Sequence, residues 1–266
     1  MTLRLASAWA TATVDPARGG RLTSVRVHGT ELLGGAPPVG PGPRSWFDGC
    51  FPMAPYVGNV RDGTFTFEGR RHALPRNNGP HAAHGLVDQV EWTVVRAGDR
   101  MVELSVPLPG PWPFGSELTQ QVTLDDDGLG IRLVCRNRRR RMPAALGLHP
   151  WFRRDLGAGP AVLDVSPGRR YRPVGPGIPG DPGPDLGARP WDDVFTDLPA
   201  PPVLRWPGGP TLTVTADTGI WMLYEQLDPA LCVEPVTSPP NSIGTDRGHV
   251  VGPGADLVLS ARFAWA

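Results

Sequence analysis

Short runs in which apolar and polar residues alternate recur along this chain, each ended after roughly 8–12 residues by Gly, Pro, Asn or Asp, and no window carries a sustained helical stripe. Such a pattern restricts the fold to sheets with one or both faces covered. Arg21–Val27 reads as a strand stopped by His28-Gly29-Thr30. Asp62-Gly63 opens a segment at 64–68 with Phe65 and Phe67 on one face, and Glu68-Gly69 turns it back through 72–74 as a hairpin. Residues 90–95 pair with 102–106 around Gly98-Asp99, and 118–124 pair with 130–137 around Asp125-Asp126-Asp127-Gly128. Later strand candidates are 161–165, 212–215, 219–225, 231–234 and 257–263. Many short strands with regular turn signals imply an all-β sandwich or barrel.

Glycine (34) and proline (33) make up a quarter of the 266 residues, but they punctuate apolar runs and form no repeat, so they count as turns and not as low complexity. Their densest stretch, 155–190, reads as a long ordered loop, with a linker as the alternative. Strand-like segments on both sides of it favour one domain over 1–266. A chain of this size can bury roughly 70–75% of its unfolded surface and needs no disulfide or metal to make a core. The three cysteines, Cys50, Cys135 and Cys232, are odd in number and far apart, and form no disulfide framework.

Lysine is absent, so all 26 basic side chains are arginine, balanced by 26 acids to a formal charge of zero. A neutral chain has no long-range attraction for nucleic acid or an anionic membrane. The run Arg138-Arg139-Arg140-Arg141 follows a strand-like segment and reads as a solvated turn. No leader-like apolar segment opens the sequence and no stretch nears the ~20 apolar residues of a membrane span, so a soluble, cytoplasmic protein is expected.

Three segments carry candidate chemistry. Asn77-Asn78-Gly79-Pro80-His81-Ala82-Ala83-His84-Gly85 holds two histidines three apart in a loop or at a strand start. A metal would need a third ligand; polar loop histidines and a proton-transferring imidazole are the other two readings. Leu146-Gly147-Leu148-His149-Pro150-Trp151-Phe152 sets a lone histidine among apolar and aromatic residues, either as a satisfied core group or beside a surface suited to a sugar face. Leu231-Cys232-Val233-Glu234-Pro235 ends an apolar strand in a carboxylate that is either salt-bridged or a general base, with Pro235 ending the ladder beyond it.

Taken in order, Gly49-Cys50-Phe51-Pro52-Met53-Ala54-Pro55-Tyr56, Pro80-His81-Ala82-Ala83-His84-Gly85, Gly147-Leu148-His149-Pro150-Trp151-Phe152, Trp191-Asp192-Asp193-Val194-Phe195 and Cys232-Val233-Glu234-Pro235 resemble the aldose 1-epimerase (mutarotase) family nearly end to end. The resemblance implies a large antiparallel β-supersandwich of the galactose mutarotase type, and an isomerase that interconverts the α and β anomers of a free aldose. It implies that His149 protonates the ring oxygen, that Glu234 takes the proton of the anomeric hydroxyl from the opposite side of C1, and that His84 hydrogen-bonds the sugar near its ring oxygen. It places Asp192 on the sugar hydroxyls. Ring opening by this acid–base pair requires no metal, nucleotide, other cofactor or covalent intermediate.

Where many family members carry a substrate-contacting arginine, this chain has Asn59, with Arg61 two residues later and therefore on the same face if the strand continues. His81 is a further candidate for contact with the sugar, and Trp46, Trp112 and Trp151 are candidate stacking surfaces. The sole partner implied is a small-molecule sugar, and either a monomer or a dimer fits. Two other functions stay open. A hexose 6-phosphate mutarotase would gather Arg61, Arg76, Arg153 or Arg154 at the pocket rim, and a carbohydrate-binding protein without catalysis would keep the pocket alone.

Overall fold

The computed structural model describes residues 1–35, 44–166 and 168–266. Two antiparallel sheets dominate it, one of eleven strands and one of eight. The larger starts at an edge with Leu3–Ala6 and Ala10–Asp15. It continues through Arg21–Val27, Cys50–Met53, Gly147–Arg153, Ala230–Val236, Ile220–Tyr224 and Asp192–Thr196, and finishes with Arg169–Gly175 and Ile178–Gly183. The smaller sheet is built around Met101–Pro107, Ser116–Leu124, Gly128–Asn137 and Asp256–Trp265. Among the described residues no helix is long and apolar enough to cross a membrane.

Period-2 alternation explains how the larger sheet is used. In its central strands Leu148, Phe152, Leu231, Val233, Leu223 and Phe195 point to one side and join a core that runs from Leu3 to Trp265 and includes Leu118, Leu133 and Phe263 of the other sheet. Their neighbours in sequence, His149, Trp151, Cys232, Glu234, Met222 and Tyr224, point to the opposite side. That side is also covered: Trp46, Phe51, Met53, Val57 and Ala83 pack as a second cluster, and Trp151, Ala230 and Cys232 as a third. Burial on both faces is why these strands read as continuous apolar runs and not as clean alternation.

Most expected strands form within a residue or two, including the hairpin of Thr64–Phe67 and Arg70–Ala73, whose turn has Glu68 and Gly69 both at positive φ. Two expectations are corrected. The 155–190 segment is not a loop: besides the expected strand, found at Val162–Asp164, it contains the hairpin Arg169–Gly175/Ile178–Gly183. Proline masked the two hairpin strands in the sequence. They tolerate Pro173, Pro179 and Pro182 because they lie at the sheet edge, with register shifts on both sides of Pro173. Nor does Pro235 end its strand, which continues to Val236, with Pro235 paired to Trp221. The four consecutive arginines are exposed, as expected of a turn.

Candidate active site

The register of the larger sheet assembles the site. Gly147 faces Val236 and Trp151 faces Cys232, which sets His149 directly opposite Glu234. Between those pairs the ladder is interrupted, and Pro150 and Pro235, neither with an N–H to donate, occupy the gap. Glu234 in turn faces Met222, and Met222 faces Val194. One residue pair further along, Trp151, Cys232, Tyr224 and Asp192 form a parallel row. Side chains scattered over 80 residues of sequence thus line up on one face.

Above this floor lies a cleft of about 230 Å³, lined by Trp46, Phe47, Asn59, Asn78, His84, His149, Trp151, Asp192, Tyr224 and Glu234, with Gly58, Gly177 and Met222 completing the wall. Its size suits a small ligand. His149 Nε2 and Glu234 Oε1 are 3.5 Å apart, and both side chains are less than a tenth exposed. His149 Nδ1 and Glu234 Oε2 are buried without a hydrogen-bond partner. The acid and base expected on opposite sides of C1 are instead side by side on the floor, a consequence of their cross-strand pairing.

Burial governs the electrostatics. It pulls His149 well below the ordinary histidine range, helped by His84 and Arg21, and pushes Glu234 well above the carboxylate range, helped by the charge of Asp192. The favoured resting form is therefore neutral imidazole beside protonated carboxyl. That form and the imidazolium–carboxylate ion pair contain the same number of protons and differ only in where one proton sits. Burial also lowers His84 to about 4, so it is a neutral hydrogen-bonding group. Asp192, exposed at the cleft mouth, is shifted up by its surroundings and by Asp193.

His84 reaches the cleft through a constrained turn. Its own φ is +58°, its N–H donates to the Gly58 carbonyl at 3.0 Å, and its Nδ1 lies 3.2 Å from Met53 Sδ. Gly85 follows at φ +84°, where an added Cβ would sit 2.2 Å from the Ala54 carbonyl oxygen, so no other residue fits. The imidazole then meets Trp46 edge-on at 4.5 Å and His149 edge-on at 5.1 Å. Asn77 braces this loop by exchanging hydrogen bonds with the Ala83 backbone, which leaves Asn78 to donate to Asn59 Oδ1 at 2.9 Å beside the cleft. Asn59 also contacts the tip of the edge hairpin. A Cβ on Gly177, at φ +61°, would come within 2.2 Å of its Nδ2.

Of the residues expected at the site, His84, His149, Glu234, Asp192, Asn59 and Trp151 line this one cleft, and Arg61 and His81 do not. The strand that holds Asn59 ends at Val60, and Arg61 starts a 3₁₀ turn, so the same-face argument fails for it. His81 Nδ1 accepts from the Asp62 N–H at 3.2 Å and pins that turn. Trp46 is at the cleft, whereas Trp112 packs against Phe65 and Phe114 in the core. Asn78, Tyr224, Met222, Phe47 and Gly177 had not been anticipated. Tyr224 becomes visible only once its register against Cys232 and Asp192 is known.

His149, Cys232 and Glu234 bring possible ligand atoms within 4.8 Å of one another. Burial raises both the Cys232 thiol and the Glu234 carboxyl well above their ordinary values, which disfavours the deprotonated donors that a cation needs. We assign no metal to it.

The larger likeness agrees with this geometry. The aldose 1-epimerase family profile matches residues 3–158, which include Asn59, His84, His149 and Trp151. Among solved structures, a galactose mutarotase-like protein from Lactobacillus casei superposes with a TM-score of 0.83 at 19% identity, covering all of both chains. Another from Clostridium acetobutylicum gives 0.85 at 16% identity over 99% of this chain and 94% of its own. Galactose 1-epimerase from Lactobacillus acidophilus gives 0.76 at 16% identity over 98% and 92%. These similarities establish the fold, an antiparallel β-sandwich of the galactose mutarotase-like type. No curated protein matches the sequence significantly. With more than half its length matched by the family profile, the chain belongs to the aldose 1-epimerase family.

Proposed function

We propose that this chain is an aldose 1-epimerase that interconverts the anomers of an uncharged free aldose, with residues 1–266 acting as a single catalytic domain. The observation that carries the proposal is the His149–Glu234 pair, buried side by side at the floor of a sugar-sized cleft. The two oxygens that exchange protons in ring opening, O1 and the ring oxygen, are bonded to the same carbon. An acid and a base 3.5 Å apart can each address one of them.

In the ion-pair form, the Glu234 carboxylate takes the O1 proton as C1=O1 forms. The C1–O bond of the ring breaks, and the ring oxygen takes the proton of His149. Rotation about C1–C2 and the reverse transfers give the other anomer. Opening leaves His149 neutral and Glu234 protonated, which is the form burial favours. The pair regains its charges on closure. No net proton is gained or lost. His84 donates or accepts near the ring oxygen, Asp192 with Asn59 and Asn78 holds hydroxyls, and Trp46, Phe47, Trp151 and Tyr224 form the aromatic walls.

The lining favours a neutral sugar over a phosphate ester. Its ionisable groups are two acids, two histidines and a tyrosine, and among the described side chains no arginine lines it. Arg76 donates to the Asp62 carbonyl, Arg153 to the Leu33 carbonyl, and Arg154 to the Glu225 carbonyl while pairing with Asp228. Polarimetry of freshly dissolved α-glucose, α-galactose and glucose 6-phosphate tests the proposal. Acceleration of the free sugars is expected. Acceleration of the phosphate ester alone would transfer the reading to a sugar phosphate, and binding without any acceleration would indicate a non-catalytic sugar receptor.

A further inference from the structure

Arg21 is a charged side chain with no accessible surface, and it lies in the same cross-strand row as the acid–base pair. Leu22 pairs with Cys50, which sets Arg21 beside Phe51, and Phe51 pairs with His149. The guanidinium carbon sits 4.6 Å from the Phe51 ring centroid, and that ring stacks on the His149 imidazole at 4.7 Å and 19°. Arg21 is held from behind by a hydrogen bond from Nη1 to the Asp48 carbonyl. It does not line the cleft and cannot touch a sugar there.

We propose that Arg21 is a positioning residue for His149: its fixed charge, delivered across Phe51, makes the imidazole a stronger acid and aligns its plane, so the proton is released readily to the ring oxygen. This rests on the mutarotase reading. The magnitude follows from the row geometry. Two strand steps of about 4.8 Å separate Arg21 from His149, and one charge at about 10 Å with an effective dielectric near 20 moves a titration by about one pH unit. Arginine suits the role because it stays charged when buried and stacks flat on an aromatic ring.

Other groups also face His149. Glu234 and Cys232 lie on the neighbouring strand, Tyr224 and Asp192 on the two beyond, and His84 on the covering loop. Asp48 and Asp88 face Arg21 and offset part of its charge, and the buried Cys50 thiol lies beside it. Among the described residues of the row, Arg21 is the one fixed cation.

The test is the pH dependence of kcat for mutarotation in the full chain. Arg21→Met should fold, lose several-fold in plateau rate and move the bell-shaped profile to higher pH by about one unit. The sign follows because removing a cation favours the protonated pair. A profile for Arg21→Met superimposable on the wild type would overturn the proposal. Should the methionine variant not fold, Arg21→Gln keeps a donor for the Asp48 carbonyl and carries the same test. NMR titration of the His149 ring in wild type and Arg21→Gln needs no turnover. An upward shift in the variant supports the proposal even if every sugar proved inert, and an unchanged titration refutes it.

Discussion

Replacing Glu234 by glutamine separates catalysis from architecture at the buried pair. The amide has nearly the volume of the carboxyl it replaces and removes the proposed base. General-base catalysis contributes about 10²–10⁴ in rate, so kcat should fall by that factor while the sugar dissociation constant stays near wild type. Stability should move the other way. Glu234 is 2% exposed and its carboxyl is raised well above the ordinary range, so the folded chain keeps this proton to higher pH than the unfolded chain does. A raised carboxyl pKa costs stability progressively as pH rises above its unfolded value of about 4.3. Each unit of that interval costs about 1.4 kcal/mol, with a ceiling of about 3–4 kcal/mol by pH 7. Glutamine removes this cost. Urea denaturation at pH 5 and pH 7 should show the variant no less stable than wild type and with a shallower loss on raising the pH. Near-wild-type kcat in Glu234→Gln would refute its role as base, and a large loss of stability at both pH values would mark it as a structural group.

Three further outcomes follow from the same geometry. Because burial pulls His149 down and pushes Glu234 up, the profile of kcat against pH should show no inflection at the ordinary histidine value of about 6.5, and a fall centred there would indicate an exposed imidazolium acid. Asp192→Asn removes the charge that helps raise Glu234, so its basic limb should move to lower pH and KM should rise, with kcat in the plateau little changed; steady-state kinetics across pH measures all three. Gly85→Ala forces a Cβ to 2.2 Å from the Ala54 carbonyl at φ +84°, and should cost about 1–3 kcal/mol in thermal unfolding and displace His84, read as a loss of activity larger than the loss of fold.

Much of the sheet was legible because period 2 and turn chemistry are local. Arg21–Val27 and the Glu68-Gly69 hairpin needed nothing beyond their own residues. The edge hairpin over 169–183 was not, because prolines that would break a central strand are tolerated at an edge, and edge position is a tertiary fact. The site divides in the same way. His149 and Glu234 stood out as polar residues in apolar strands, but their contact depends on a register between segments more than 80 residues apart. Tyr224 and Asn78 looked ordinary in sequence and owe their place to Cys232 and Asn59 opposite them. Arg61 shows the converse: strand periodicity holds only to Val60, and the 3₁₀ turn that starts at Arg61 takes its side chain out of the cleft.

The central claim is that this chain exchanges anomers at His149 and Glu234. Proton NMR exchange spectroscopy on an equilibrated aldose reports that exchange directly, because the α and β anomeric protons have separate signals. With catalytic protein present, magnetisation should pass between them at a rate proportional to protein concentration, and it should drop to the uncatalysed level with His149→Gln or Glu234→Gln. Exchange that persists unchanged in both variants, or no exchange for any aldose that binds the wild-type cleft, would contradict the account.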